Sequence, residues 1–391
     1  MKYKSLLVFS VLLAAIAVSC SKENASNSVK YQEFSGTEVE VGENAGANRL
    51  LVLNEGNFPG PSTLDLLDFR SKTYSANVFG QANPDVTQGI GSTGNELAVA
   101  GDRIWALMNA SNQVVVMDKN SLKVLKILDI QSPRFMASDG TYAYITSYGA
   151  AVWGSAMSQN GLLYRVKLDT YDITSLEVGP QPEGVAVKDG KIYVANSGGY
   201  NALKSNTVMR IDAASFQQDA TFSAPVSNLK LLWASGDYLW GTCYDTYGPA
   251  PDYAFVSAAS LYRMDKDGHN HKVIEGVSPS FATLAGDTLY AFGFGTMHKV
   301  SADGTVETLT FKDQVIKVKK ESDDEEELSE EISVTLEGLY VSSACVNPSN
   351  GDIYLSVASY TGNSRLICVD KDLAFKWELE SGLGAAHLLL Q

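Results

Sequence analysis

Three stretches of this 391-residue chain concentrate side chains that could hold a ligand: "SYGAAVWGSAMSQNG" (147–161), "NSGGYNALKSN" (196–206) and "CYDTYGPAPDYAFVSAAS" (243–260). They supply Tyr148, Trp153, Tyr200, Tyr244, Tyr247, Tyr253 and Phe255, with Asn196, Asn201, Asp245 and Asp252 among them. Amphipathic rings offer apolar faces with polar tips, and neighbouring amides and carboxylates orient what the rings hold, so the combination suits a planar or glycosidic ligand. Some of these rings are expected to pack the loops onto the body instead. A fourth stretch, "LNEGNFPGPS" (53–62), adds Asn54, Glu55, Asn57 and Phe58.

Signatures of covalent or metal chemistry are missing. The chain contains no HExxH, no GxSxG and no Walker-type phosphate loop. Its histidines, His269, His271, His298 and His387, are scattered, and no metal site is expected. "GIGSTG" (89–94) matches GxGxxG without a surrounding βαβ pattern and reads as a connecting loop. "DKDG" at 265 starts like a calcium loop, but no bidentate Glu follows and tight-turn chemistry accounts for it. A hydrolase or lyase is therefore unsupported, and the reading is of a non-enzyme without a cofactor.

The elements that must position these loops repeat. "PEGVAVKDGKIYVANSG" (182–198) is an apolar run, a Gly/Asp turn and a second apolar strand, and the same pattern starts at 95, 133, 228, 280 and 342. Each copy is followed by a third strand ("TVMRIDAAS", "SLYRMDKDG") and a fourth ("VLKILDI", "FKWELES"). Four short strands recurring at roughly 40 to 60 residues are the mark of propeller blades. The segment from Arg49 lacks a first strand, while "AAHLLLQ" ends the chain as a first strand with nothing after it.

The expected fold is all-β: a seven-bladed β-propeller over 49–391 with four-stranded blades, its ring closed by the C-terminal strand from about Ala385 to Gln391 joining the N-terminal blade. In such a ring, second-to-third-strand loops and blade-to-blade loops emerge on one face. The long loops of blades 3, 4 and 5 then build one site.

An insert at about 313–337 separates blades 6 and 7. Glu321, Asp323, Asp324, Glu325, Glu326, Glu327, Glu330 and Glu331 carry about half of the formal net charge of −15. A run of this kind reads as a solvated loop; the competing reading is an acidic lid or metal-collecting flap over the ligand face. An acidic chain also argues against nucleic acid as a partner.

The N-terminus has Lys2 and Lys4, an apolar stretch from Leu6 to Ala17, then "AVSC", which describes a secretory signal over 1–19. Residues 20–48 read as an anchor and a flexible tether with a reach of about 30 Å. The later cysteines, Cys243, Cys345 and Cys368, have no framework spacing and read as buried thiols.

Two resemblances add to this. "AVSC" resembles the lipobox of bacterial lipoproteins, which implies lipidation of Cys20, attachment to the membrane through a lipid only, and, with "SKEN" after it, display on the outer membrane surface. The blade repeat resembles the YncE-like or YVTN β-propellers. The opening "VLNEGNF" and closing "GLGAAHLLLQ" look like the surface lipoproteins of gut Gram-negative anaerobes in that group. That resemblance implies capture of a nutrient, most specifically a corrinoid (vitamin B12, cobalamin), and its hand-over to a TonB-dependent outer-membrane transporter. Two other readings stay open: a glycan- or protein-binding surface propeller, and an enzyme of the propeller lyase or quinoprotein type.

Overall fold

The computed structural model describes residues 31–42, 46–149, 160–199, 204–248, 251–320 and 328–391. Seven antiparallel blades are arranged as expected, each with four strands in sequential order, and the blade that begins at Arg49 is completed by the strand Ala385–Leu390. That strand pairs Leu50 with Leu390, Leu51 with Leu389 and Leu53 with His387. With it in place, every one of the seven blades has its inner strand. The one described helix is a single turn, Val78–Ala82.

Local sequence explains the blades. In blade 4, Asp189 and Gly190 both have positive φ, 52° and 71°, which is the two-residue turn whose twist matches the strands it joins. Middle strands such as Arg103–Met108 and Tyr142–Ser147 are buried along nearly their whole length, because a neighbouring blade covers each face. They therefore read as unbroken apolar runs, whereas the fourth strand Gln217–Ser223 is largely exposed. The core is a series of layers between blades: Trp105 and Leu107 of blade 2 meet Ala143 and Ile145 of blade 3, and Tyr193 of blade 4 meets Leu239 and Tyr262 of blade 5.

Several expectations are corrected. Residues 32–42, read as tether, are built into blade 1: Thr37 and Glu38 form a fifth, outermost strand against Tyr74 and Thr73, and Val41 is buried. The fourth strand of blade 5 shrinks to Lys272–Val273. The insert is a β-hairpin, Gln314–Lys320 paired with Leu328–Val334, rather than a loop. Its base is fastened to the outer part of blade 7. The Gln314 amide donates to Leu373 O and accepts from Phe375 N, and the Asp313 carboxylate accepts from the Leu336 and Glu337 amides. Most of the acidic run, 321–327, lies outside the described residues. Cys243 and Cys368 are buried, Cys345 is half-buried, and none of the three is in a disulfide.

Candidate functional site at the loop end of the central channel

Every inner strand starts at the loop face, and in blades 3, 4 and 5 it starts with the same irregularity. Two residues of the inner strand oppose one of the second strand: Arg134 and Phe135 in blade 3, Glu183 and Gly184 in blade 4, Lys230 and Leu231 in blade 5. A bulge of this kind re-aims side chains that the ladder would otherwise fix. Threonines steady it: Thr146 Oγ1 accepts from Phe135 N at 3.0 Å and donates to Glu183 O at 2.6 Å, and Thr242 Oγ1 accepts from Leu231 N at 3.3 Å. Gly184 is required because a Cβ there would lie 2.5 Å from Leu232 N and 2.7 Å from Lys230 O, on the neighbouring inner strand.

The bulges bring a charged cluster together at the channel mouth. Arg134 donates from Nε and Nη2 to the two carboxylate oxygens of Glu183, at 3.0 and 3.1 Å, a bidentate pair in which Glu183 is only 1% exposed. Tyr148 donates its hydroxyl to Glu183 Oε1 and stacks its ring under the Arg134 guanidinium, 4.7 Å from centroid. Burial opposes the charge on Arg134, but the Glu183 carboxylate, together with Tyr148 and Tyr244, outweighs it and holds the guanidinium above its ordinary range. Burial, with Glu183, pushes the Tyr148 phenol up as well. His387, from the closing strand, faces Lys230 and Arg134; burial first, then these two cations, push its imidazole down to about 3. Glu96 of blade 2 accepts from Met136 N at 2.6 Å, and burial pushes its carboxyl up to about 8.

Above the channel, a cavity of about 350 Å³ opens between the loops of blades 5 and 6. Lys230, Tyr244, Asp245, Tyr247, Phe294 and Tyr340 are among the residues that line it. Lys230 Nζ donates to Ser280 O at 2.9 Å and sits 5.0 Å from the centre of the Tyr244 ring. The exposed rings of the loop face are more widely spread than the long loops alone suggest. Phe58, Tyr247, Tyr253, Phe255, Phe294, Tyr340 and Tyr360 are all exposed, with Phe294 75% accessible.

The candidates named from sequence divide into groups. Tyr244, Asp245 and Tyr247 meet at the cavity; Tyr247 packs edge to face on Phe255 at 5.8 Å, and Asp245 accepts from Ala259 N to fold its loop. Tyr253 and Phe58 stand exposed on the rim. Glu55 and Asn57 form the seam between blades 1 and 7, where Tyr360 donates to Glu55 Oε2 at 2.6 Å and Asn57 donates to Tyr360 O at 3.1 Å. Asn54 and Asn196 are corrections, since both are buried inside their blades. Asn54 donates to Thr63 and Asp65, and Asn196 donates to Thr207, so their amides hold second strand to third rather than face a ligand. Tyr148 points inward to Glu183 instead of into the loop. Trp153, Tyr200, Asn201 and Cys20 lie outside the described residues.

Sequence reasoning missed Arg134, Glu183, Lys230, Glu96, His387, Phe294, Tyr340 and Tyr360. The inner-strand signal was present: "PRFM", "PEGV" and "NLKLL" each place a charge at the start of an apolar run. Phe294 sits between two glycines at the turn of "GFG", where the structure leaves its ring 75% exposed.

No protein-family model matches the chain, and no curated protein matches it. Among solved structures it is similar to hydrazine synthase of Kuenenia stuttgartiensis, at 14% identity and a TM-score of 0.53, over 75% of this chain and 88% of that one. It is also similar to the WD40 repeats of RRP9, at 10% identity and a TM-score of 0.52, over 75% and 82% of the two chains. BamB from Moraxella catarrhalis matches over 81% of each chain at 11% identity, with a TM-score of only 0.44. At these identities the likeness is one of fold. The chain is a seven-bladed β-propeller, and its function is to be argued from its own residues.

Proposed function

We propose that this protein is a non-enzymatic, lipid-anchored capture module on the outer membrane surface, binding a nutrient ligand and handing it to an outer-membrane transporter. The ligand proposed is a corrinoid. The observation that carries a binding role is the aromatic-walled cavity between blades 5 and 6, with Lys230 and Tyr244 at its floor. About 350 Å³ is at the small end of ligand sites. A corrin would therefore lie across the exposed rings of the rim, with one peripheral group entering the cavity. The lipobox and the resemblance of the blade repeat supply the anchor and the ligand class; the geometry supplies the surface.

Calorimetric titration of the full chain with cyanocobalamin and with cobinamide tests this. Binding at or below about 1 μM, roughly −8 kcal/mol, is expected of a scavenger. No heat at several hundred micromolar would remove the corrinoid. The cavity's modest volume favours a second reading, a glycan held by one or two sugar rings, which a glycan array would reveal. The converging Arg134, Tyr148, Lys230 and His387 keep a lyase as the third reading; release of an unsaturated product from polyuronates would establish it.

A further inference from the structure

Lys230 differs from the other cations of the channel. Arg134 is neutralised by a bidentate carboxylate, whereas no carboxylate of the described residues lies within 4.0 Å of Lys230 Nζ. An ammonium has three donors, and the one hydrogen bond of Lys230 goes to the neutral carbonyl of Ser280. The Tyr244 ring covers one side of the ammonium at 5.0 Å. The bulge at Lys230 and Leu231 turns this side chain out of the ladder, and Lys230 lines the cavity floor. Glu183 and Asp245 act on this ammonium through space without contacting it; a buried charge short of direct partners is costly, and here it borders a cavity.

We propose that the cavity between blades 5 and 6 is an oxyanion site, in which Lys230 receives the phosphodiester or carboxylate of a ligand whose rings stack on Tyr247, Phe294 and Tyr340. The proposal rests on the reading of the loop face as a ligand site and names the chemistry that the site selects. Asp245, whose Oδ1 is occupied by Ala259 N, keeps its other oxygen for a hydroxyl or amide donor beside the anion. Because the whole chain is acidic, a single ammonium in a recess walled by rings and polar side chains discriminates by contact rather than by long-range attraction.

Two probe pairs differ in the anion: cyanocobalamin against cobinamide, which lacks the nucleotide and its phosphodiester, and glucuronate against glucose. Binding is measured by calorimetry on the full chain. In parallel, the acetylation rate of Lys230 is read by peptide mass spectrometry with each probe and with inorganic phosphate. In at least one pair, the member that carries the oxyanion should bind about ten-fold or more tightly than the one that lacks it, the size of a charge-assisted hydrogen bond. It should also slow Lys230 acetylation where the member without the oxyanion does not. Lys230→Met should erase the preference and Lys230→Arg should restore it, with thermal unfolding checking that both variants fold.

The pair that shows the preference identifies the source of the anion. If neither corrinoid binds, the corrinoid reading fails, while the glucuronate and phosphate arms still decide the oxyanion site. Acetylation unaffected by every anionic probe, or equal affinities within both pairs, overturns the proposal.

Discussion

At the scale of single residues, the channel mouth is a set of titratable groups whose charges are fixed by their neighbours. Glu183→Ala should leave Arg134 buried without its partner and cost about 3–5 kcal/mol in urea unfolding, whereas Arg134→Met combined with Glu183→Leu should recover much of that loss. Glu96 and His387 give pH effects of opposite sign. The folded state keeps a proton on Glu96 that the unfolded chain releases, so this group's contribution falls as pH rises from its ordinary value of 4.5 to about 8. The unfolded chain takes up a proton that folded His387 refuses, so stability falls as pH drops from 6.5 toward 3. Urea midpoints measured from about pH 3 to 8 should lose their decline between about 4.5 and 8 in Glu96→Gln and their decline below about 6.5 in His387→Phe.

At the scale of elements, the recurring bulge connects fold to site. It takes one charged residue out of each ladder in blades 3, 4 and 5 and points it toward the axis, and it depends on close approach of neighbouring inner strands. Gly184→Ala would drive a Cβ into the backbone of Leu231 and Leu232. Overpacking of this kind costs about 1–3 kcal/mol, and because the displaced strand carries Lys230, ligand affinity should fall together with the melting temperature. The closing strand has a different role. Removing residues 385–391 exposes the ladder of Leu50–Leu53, and size-exclusion chromatography should then show aggregates in place of the discrete peak of the intact chain.

At the scale of the whole molecule, the seven blades form a ring whose loop face carries the exposed aromatic side chains. Phe294 and Tyr340 are 75% and 61% exposed, so their removal should hardly affect folding. Phe294→Ala and Tyr340→Ala are each expected to weaken ligand binding by up to about ten-fold through lost ring contact, with melting temperatures unchanged. The paired strands Gln314–Lys320 and Leu328–Val334 are held at their base by Leu373 and Phe375 of blade 7, and neither strand lines the cavity between blades 5 and 6.

Much of this was legible from the chain alone. The blade pattern is local: Asp189-Gly190 turns, unbroken apolar middle strands and alternating outer strands are set by backbone sterics and by period, so the number of blades and the pairing of Ala385–Leu390 with Arg49–Asn54 follow from counting repeats. Tyr244, Asp245 and Tyr247 were legible as loop residues for the same reason. Asn54 and Asn196 misled because an amide at a strand end looks the same whether it faces solvent or bonds the next strand. What only the tertiary structure decided is convergence. Arg134, Glu183, Lys230 and His387 lie on four different blades, and only closure of the ring places their inner strands around one axis, while the bulges, which no period announces, turn the first three side chains into it.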